Sequence, residues 1–198
     1  MKKRQLGSCV TFFPQPTTLI GSLDEQNKVN LMTASWAGIV SKTPPTIAVS
    51  LNKARKTYAN ILERGEFVVN MVPASLAVEA DFCGIRSGSK VDKAATCGFT
   101  FEPAEHLQVP LLAESPLNLE CRLVREVEIG DYRLLLGEIM QVHAIDSAFN
   151  GDGSIATPRF DPLVYLGGIR EYWTLGDKAA DAYQIGKRLA EEKKEDKL

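Results

Sequence analysis

Two apolar runs, Asn30–Val40 and Thr46–Leu51, flank the polar link Ser41-Lys42-Thr43-Pro44-Pro45. Both runs are rich in β-branched residues, and consecutive prolines continue neither a helix nor a central strand. The pattern therefore predicts two strands joined by a loop. Upstream, Thr17–Leu23 reads as a short strand and Asp24–Lys28 as the polar turn of a hairpin. Strict alternation after that turn puts Asn30, Met32, Ala34 and Trp36 on one face and Leu31, Thr33, Ser35 and Ala37 on the other, with a bulge at Gly38.

From Lys56 the period changes. Tyr58, Ile61 and Leu62 recur at helical spacing, and Gly65 supplies a stop. Phe67–Met71 is an apolar strand closed by Pro73. A short helix is expected over Ser75–Phe82, offering Leu76, Ala77 and Val78 for burial. Prolines punctuate 103–116, and a long hairpin follows around Gly130-Asp131. In its first strand Leu119, Cys121, Leu123, Val127 and Ile129 alternate with Glu120, Arg122, Glu126 and Glu128, which predicts one buried and one wet face. In its second, Leu134, Leu136, Met140 and Val142 are the expected inward side. Long strands, short helices and no β-α-β rhythm point to an antiparallel barrel rather than a doubly wound sheet. A last helix, about 177–195, would open at Asp177 and carry the stripe Ala179, Ala182, Tyr183, Gly186 and Leu189. The 198 residues are expected to form a single domain.

Composition narrows the function. Hydrophobic residues at 44% and charged residues at 24% are ordinary for a globular chain, and a net charge of −2 makes no case for nucleic acid. No stretch approaches the roughly 20 apolar residues of a membrane span. The basic start Met1-Lys2-Lys3-Arg4 runs into a polar, proline-interrupted segment rather than a signal peptide, so a cytoplasmic protein is expected. Cys9, Cys83, Cys97 and Cys121 lack metal-ligand spacing and read as free thiols, with Cys83 and Cys97 flanking a basic loop that could raise their reactivity.

The chemistry concentrates between residues 30 and 57. Small hydroxyl residues Thr33 and Ser35 stand beside Trp36, and Ser50-Leu51-Asn52 leads into the cationic helix start Lys53-Ala54-Arg55-Lys56-Thr57. Strand ends with small residues admit a ligand close to the backbone, and cations with free N–H groups at a helix start suit a phosphate. A flat ring on the strands with a phosphate on the turn describes a mononucleotide such as FMN.

Asn30-Leu31-Met32-Thr33-Ala34-Ser35-Trp36, Thr43-Pro44-Pro45 and Arg55-Lys56-Thr57-Tyr58 resemble the flavin reductase-like family of FMN-binding split barrels, especially its flavoredoxin-type members. Val91-Asp92-Lys93, Gly137-Glu138-Ile139 and Tyr165-Leu166-Gly167-Gly168 continue the likeness in order. The resemblance implies a Greek-key split β-barrel, FMN as cofactor, and a homodimer. It implies flavin contacts from Asn30, Met32, Thr33, Ala34, Ser35, Trp36, Ser50 and Leu51, with backbone N–H groups on the polar edge of the ring. Arg55, Lys56 and Thr57 would hold the phosphate, Lys93 the phosphate or ring, and Tyr165 would approach the ring. Electron transfer or NAD(P)H-dependent flavin reduction is the implied activity, with NAD(P)H or an electron-transfer protein as partner. One departure stands out. Many relatives carry histidine after Gly-Asp where this chain has Tyr132, a poor general base at neutral pH, so slow direct oxidation of NAD(P)H is expected. The competing reading, a non-catalytic split barrel holding haem or another planar ligand, lacks a clear axial histidine: only His106 and His143 exist.

Overall fold

The computed structural model describes residues 1–187. Its strands are β1 (Gln15–Pro16), β2 (Thr18–Leu23), β3 (Val29–Ala34), β4 (Ala37–Lys42), β5 (Pro45–Asn52), β6 (Glu66–Met71), β7 (Phe101–Glu102), β8 (Leu111–Leu112), β9 (Leu117–Ile129), β10 (Tyr132–Ala144), β11 (Val164–Leu166) and β12 (Glu171–Trp173). Three helices interrupt them: α1 (Lys56–Arg64), α2 (Ala77–Ile85) and α3 (Lys93–Cys97).

Seven strands pair antiparallel in the order β3-β2-β6-β9-β10-β5-β4, so the edges are β3 and β4, neighbours in the chain. Only Ser35 and Trp36 join them. Two linking residues span on the order of 10 Å at full extension, so the two edges must come together and the sheet must curl into a barrel with its seam at Ser35–Trp36. The sequence pattern predicts one strand over 30–40. The structure breaks it, because β3 pairs with β2 while β4 pairs with β5 across the barrel.

The barrel interior is filled by Ile20, Met32, Val49, Leu51, Phe67, Val69, Cys121 and Leu135, with Ile61 of α1 as a plug. Gly137 makes room for this packing: a Cβ there would lie 2.5 Å from Cζ of Phe67. A second cluster, with Leu19, Leu31, Val72, Ala80 and Cys83, seats α2 on the outside of β2 and β3. Leu19 and Ile20 are consequently both fully buried. α1 ends as its sequence demands, on Gly65 in the left-handed region (φ 72°), whose N–H donates to the Ile61 carbonyl.

Four expectations fail locally. α2 starts two residues late, after a 3-10 turn at Ala74–Leu76, and buries Ala80 and Cys83 while Val78 is 78% exposed. On β10 it is Leu135 that is fully buried; Leu134, Leu136 and Met140 are half-buried and Val142 is exposed. Apolar residues occupy both faces of that strand, and register shifts at Leu136/Gly137 and Ile139/Gln141 break the alternation, so period alone could not choose. Glu120, expected wet, is completely buried. Between Asp177 and Lys187 the chain forms bends, turns and a 3-10 turn at Ile185–Lys187 instead of a continuous helix. The exposed stripe positions Ala179, Ala182 and Tyr183 have no core to lie on there; Leu189 and the rest of the expected helix lie outside the described residues.

Candidate functional site

A cleft of about 440 Å³ opens where β3 ends, the seam crosses, and β5 runs out. Its floor is Met32, Thr33, Ala34, Ser35, Trp36, Ser50 and Leu51, followed by Asn52 and Arg55 at the entry to α1. One flank is the face of α2 carrying Asp81, Gly84 and Ile85, spaced as neighbours on a helix. The Thr33 hydroxyl donates to the Ala80 carbonyl and ties α2 to the floor. Two aromatic pairs form the remaining walls. Trp36 meets Tyr132, with centroids 5.1 Å apart, and Tyr165 on β11 meets Tyr172 on β12 at 5.5 Å. The Tyr172 hydroxyl donates to Asp81 Oδ1 at 3.3 Å. Burial and the nearby Asp81 carboxylate push the Tyr172 phenol up to about 12, so it stays protonated at neutral pH. Arg170, in the turn between β11 and β12, completes the rim.

The cleft thus gathers nine of the residues that the sequence nominates: Met32, Thr33, Ala34, Ser35, Trp36, Ser50, Leu51, Arg55 and Tyr165. The other four lie behind the floor. The Asn30 amide donates to the Thr57 hydroxyl at 2.8 Å, both side chains being buried, and Asn60 reaches Ser22 beside them. That network sets α1 against β2 and β3. Lys56 is paired with Asp24 at 2.8 Å. Lys93 is 4% exposed, and its ammonium donates to the carbonyls of Leu31 and Cys83 at 2.8 and 2.7 Å. Burial lowers its pKa. Lys56, Asn30 and Lys93 border a separate recess of about 290 Å³, where Lys28 is also matched, to Asp92.

Arg55 remains as the cation at the helix start that faces the cleft. α1 begins there with no side-chain cap and no acidic residue in its first turn. Its first N–H groups have no partner within the helix, and the helix dipole adds positive potential at that point. The Ser50 N–H, nominated as a ring donor, is bonded to the Trp36 carbonyl at 2.9 Å and instead closes the seam.

Sequence reasoning missed Asn52, Asp81, Gly84, Ile85, Arg170 and Tyr172 as cleft residues. The i, i+3, i+4 spacing of the α2 trio carries a signal once the helix is extended to Ile85. Arg170 and Tyr172 carry none, since their place depends on β1-β11-β12 pairing beside the barrel. Cys83 proves to be buried on α2, and burial pushes its thiol up to about 12, the opposite of a reactive cysteine.

Other proteins share this fold. The fold superposes on flavoredoxin of Desulfovibrio vulgaris (Miyazaki F) with a TM-score of 0.89 and 37% identity, covering 93% of this chain and all of that one. Flavoredoxin from Methanosarcina acetivorans gives 0.87 and 33%, covering 96% and 100%. An uncharacterized protein of Archaeoglobus fulgidus is 37% identical over 72% of this chain and 80% of its own length. Residues 10–174, which hold every wall of the cleft, match the flavin reductase like domain, and the chain belongs to that family as a flavoredoxin-type member.

Proposed function

We propose that the chain is an FMN flavoprotein that moves electrons between a donor, NAD(P)H or a redox protein, and an acceptor that enters the same cleft. The observation that carries this reading is one juxtaposition. A cleft walled by two aromatic pairs ends on an uncapped helix start flanked by Arg55. Its volume lies in the usual range for ligand pockets. When bound, the flavin supplies the redox chemistry, and the protein supplies position and electrostatics. Trp36 and Tyr165 offer flat apolar surface to the ring. The floor at Met32–Trp36 offers backbone at close range, and Arg55 with the α1 N–H groups holds a phosphate. Asn30, Thr57 and Lys93 act one layer back, fixing α1, α2 and β3 in place. One phosphate cradle, without a Gly-x-Gly-x-x-Gly segment, favours a mononucleotide over FAD.

The reading extends to a homodimer in the cytoplasm. Ile39, Val40, Val124, Ile129 and Val142 are exposed on β4, β9 and β10, and Trp36 and Tyr132 are part-exposed at the cleft. A second copy lying there would cover the surface and limit water at the flavin. Met32, which strict alternation puts on the same face as Trp36, belongs to the core. All four cysteines are free, which fits a reducing compartment.

Purified protein should be yellow and release FMN, not FAD, on denaturation; colourless protein that takes up no added FMN refutes the reading. Anaerobic mixing with NADH or NADPH then separates the donors. Rapid bleaching identifies a nucleotide, and persistent colour identifies a protein. Light scattering should give twice the mass of the chain.

A further inference from the structure

Arg170 occupies a position that its side chain does not favour. It lies in the left-handed region (φ 60°), where glycine sits without steric cost and an L-residue does not. Its N–H donates to the Leu166 carbonyl at 3.0 Å, closing the turn between β11 and β12. Gly168 two residues upstream also has a positive φ (94°), but the left-handed residue on the cleft itself is the arginine. Strain of this kind at a ligand-sized cleft points toward use of the side chain. Among the described residues no carboxylate pairs with Arg170. Asp81, the carboxylate on the cleft wall, is engaged by the Tyr172 hydroxyl.

The strands on either side of this turn carry the Tyr165–Tyr172 pair, so an aromatic wall and a fork of N–H donors are set in one small hairpin. Arg55 stands in the same cleft at the start of α1, where the flavin reading assigns it to the phosphate. That leaves Arg170 for a second anion.

We infer that Arg170 is a specificity-determining residue: it holds the carboxylate or phosphate of a planar redox partner that lies against the Tyr165–Tyr172 wall. The inference rests on the flavin reading for what the partner exchanges electrons with. Two sources share this chemistry, a small aryl carboxylate acceptor and a nicotinamide nucleotide donor.

The test uses FMN-loaded full-length protein and two probes of nearly equal shape, benzoate and neutral benzamide, titrated by the change in flavin absorbance. Wild type should bind the benzoate roughly tenfold tighter or better, the scale of a charge-assisted bidentate contact. R170M and R170G should abolish that preference, and R170K should restore part of it. FMN affinity should stay within about twofold in all three, and R170G should melt no lower than wild type, since glycine relieves the turn. A purely structural arginine would lower the melting point and leave the preference intact. The Michaelis constants for NADH and NADPH are measured on the same variants: a rise in R170M assigns the anion to the nucleotide, and no change assigns it to an acceptor. A benzoate preference retained in R170M together with unchanged nucleotide constants overturns the inference. If the protein takes up no FMN the flavin reading falls by itself. The two probes are then titrated by quenching of tryptophan and tyrosine emission, where a preference lost in R170M upholds the anion site and its absence from wild type removes it.

Discussion

Two regions of the molecule treat polar groups in opposite ways. Beside β6 and β9, the 103–110 segment is clamped by two carboxylates. Glu66 accepts the N–H groups of Gln108 and Val109 at 2.8 and 3.1 Å. Glu120, fully buried, accepts those of Glu105 and His106, each at 2.8 Å, and pairs with His143 Nε2 at 2.6 Å. At the cleft lie an uncapped helix start, Arg55 and a strained Arg170. Where the chain satisfies its own buried groups, the arrangement is architecture. Where cations and aromatic faces line a cleft, the arrangement suits an anionic, planar ligand. Both histidines belong to the clamped region.

The sharpest way to break this contrast is Glu120→Leu. Removing a buried carboxylate strands two N–H groups and His143, and should lower unfolding free energy by about 3 kcal/mol in urea titrations. FMN affinity should barely move; a large loss would mean that the two regions are not independent. The same clamp gives a pH dependence. Burial pushes the Glu120 carboxyl up, but the Glu105 N–H, His143 and the His106 N–H together hold it below its usual value. Its folded-state pKa being depressed, its contribution is present above the unfolded value, about 4.3, and is lost as pH falls through the folded value. Stability measured from pH 6 downward should therefore fall less steeply in the leucine variant.

Thr57→Ala comes next. Sequence reading makes Thr57 a phosphate ligand, whereas its hydroxyl is 1% exposed and accepts from Asn30. The variant should lose about 1–2 kcal/mol of stability, seen as a lower urea midpoint, with little change in FMN affinity. Arg55→Met should do the reverse: unchanged stability and roughly tenfold weaker FMN, read by fluorescence titration of the freed flavin. Equal behaviour of the two variants would erase the distinction between residues lining the cleft and residues behind it. The smallest effect is expected for Tyr132→His. It should raise the rate of anaerobic flavin reduction by NAD(P)H a few-fold, by roughly 1 kcal/mol or less in barrier, and a fast wild-type rate left unchanged would show that this position does not limit hydride delivery.

Much of this was legible in the residues. Strand type, the α1 boundaries and the floor of the cleft follow from periodicity, Gly65 and the 30–57 segment. What escaped depends on long-range pairing. Thr57 and Lys93 are of the right type for a phosphate, but only the packing of α1 and α3 on β3 shows that the Thr57 hydroxyl accepts from Asn30 and that the Lys93 ammonium donates to two carbonyls. Glu120 alternates like a solvent residue, and nothing local says that the 103–110 segment will fold over it. Arg170 needs the β11–β12 hairpin to be placed at all.

The seam at Ser35–Trp36 has a kinetic consequence. β3 can pair with β2 and β4 with β5 through local hairpins, but closure waits for β6, β9 and β10, drawn from as far as residue 144, to fill the gap between them. Such distant contacts form late in a folding reaction. Trp36 sits on the closing bond and against Tyr132, so its emission times the last event of folding. The floor of the cleft, built from the same residues, comes into being only at that moment, and a chain stalled before closure has strands but no cleft.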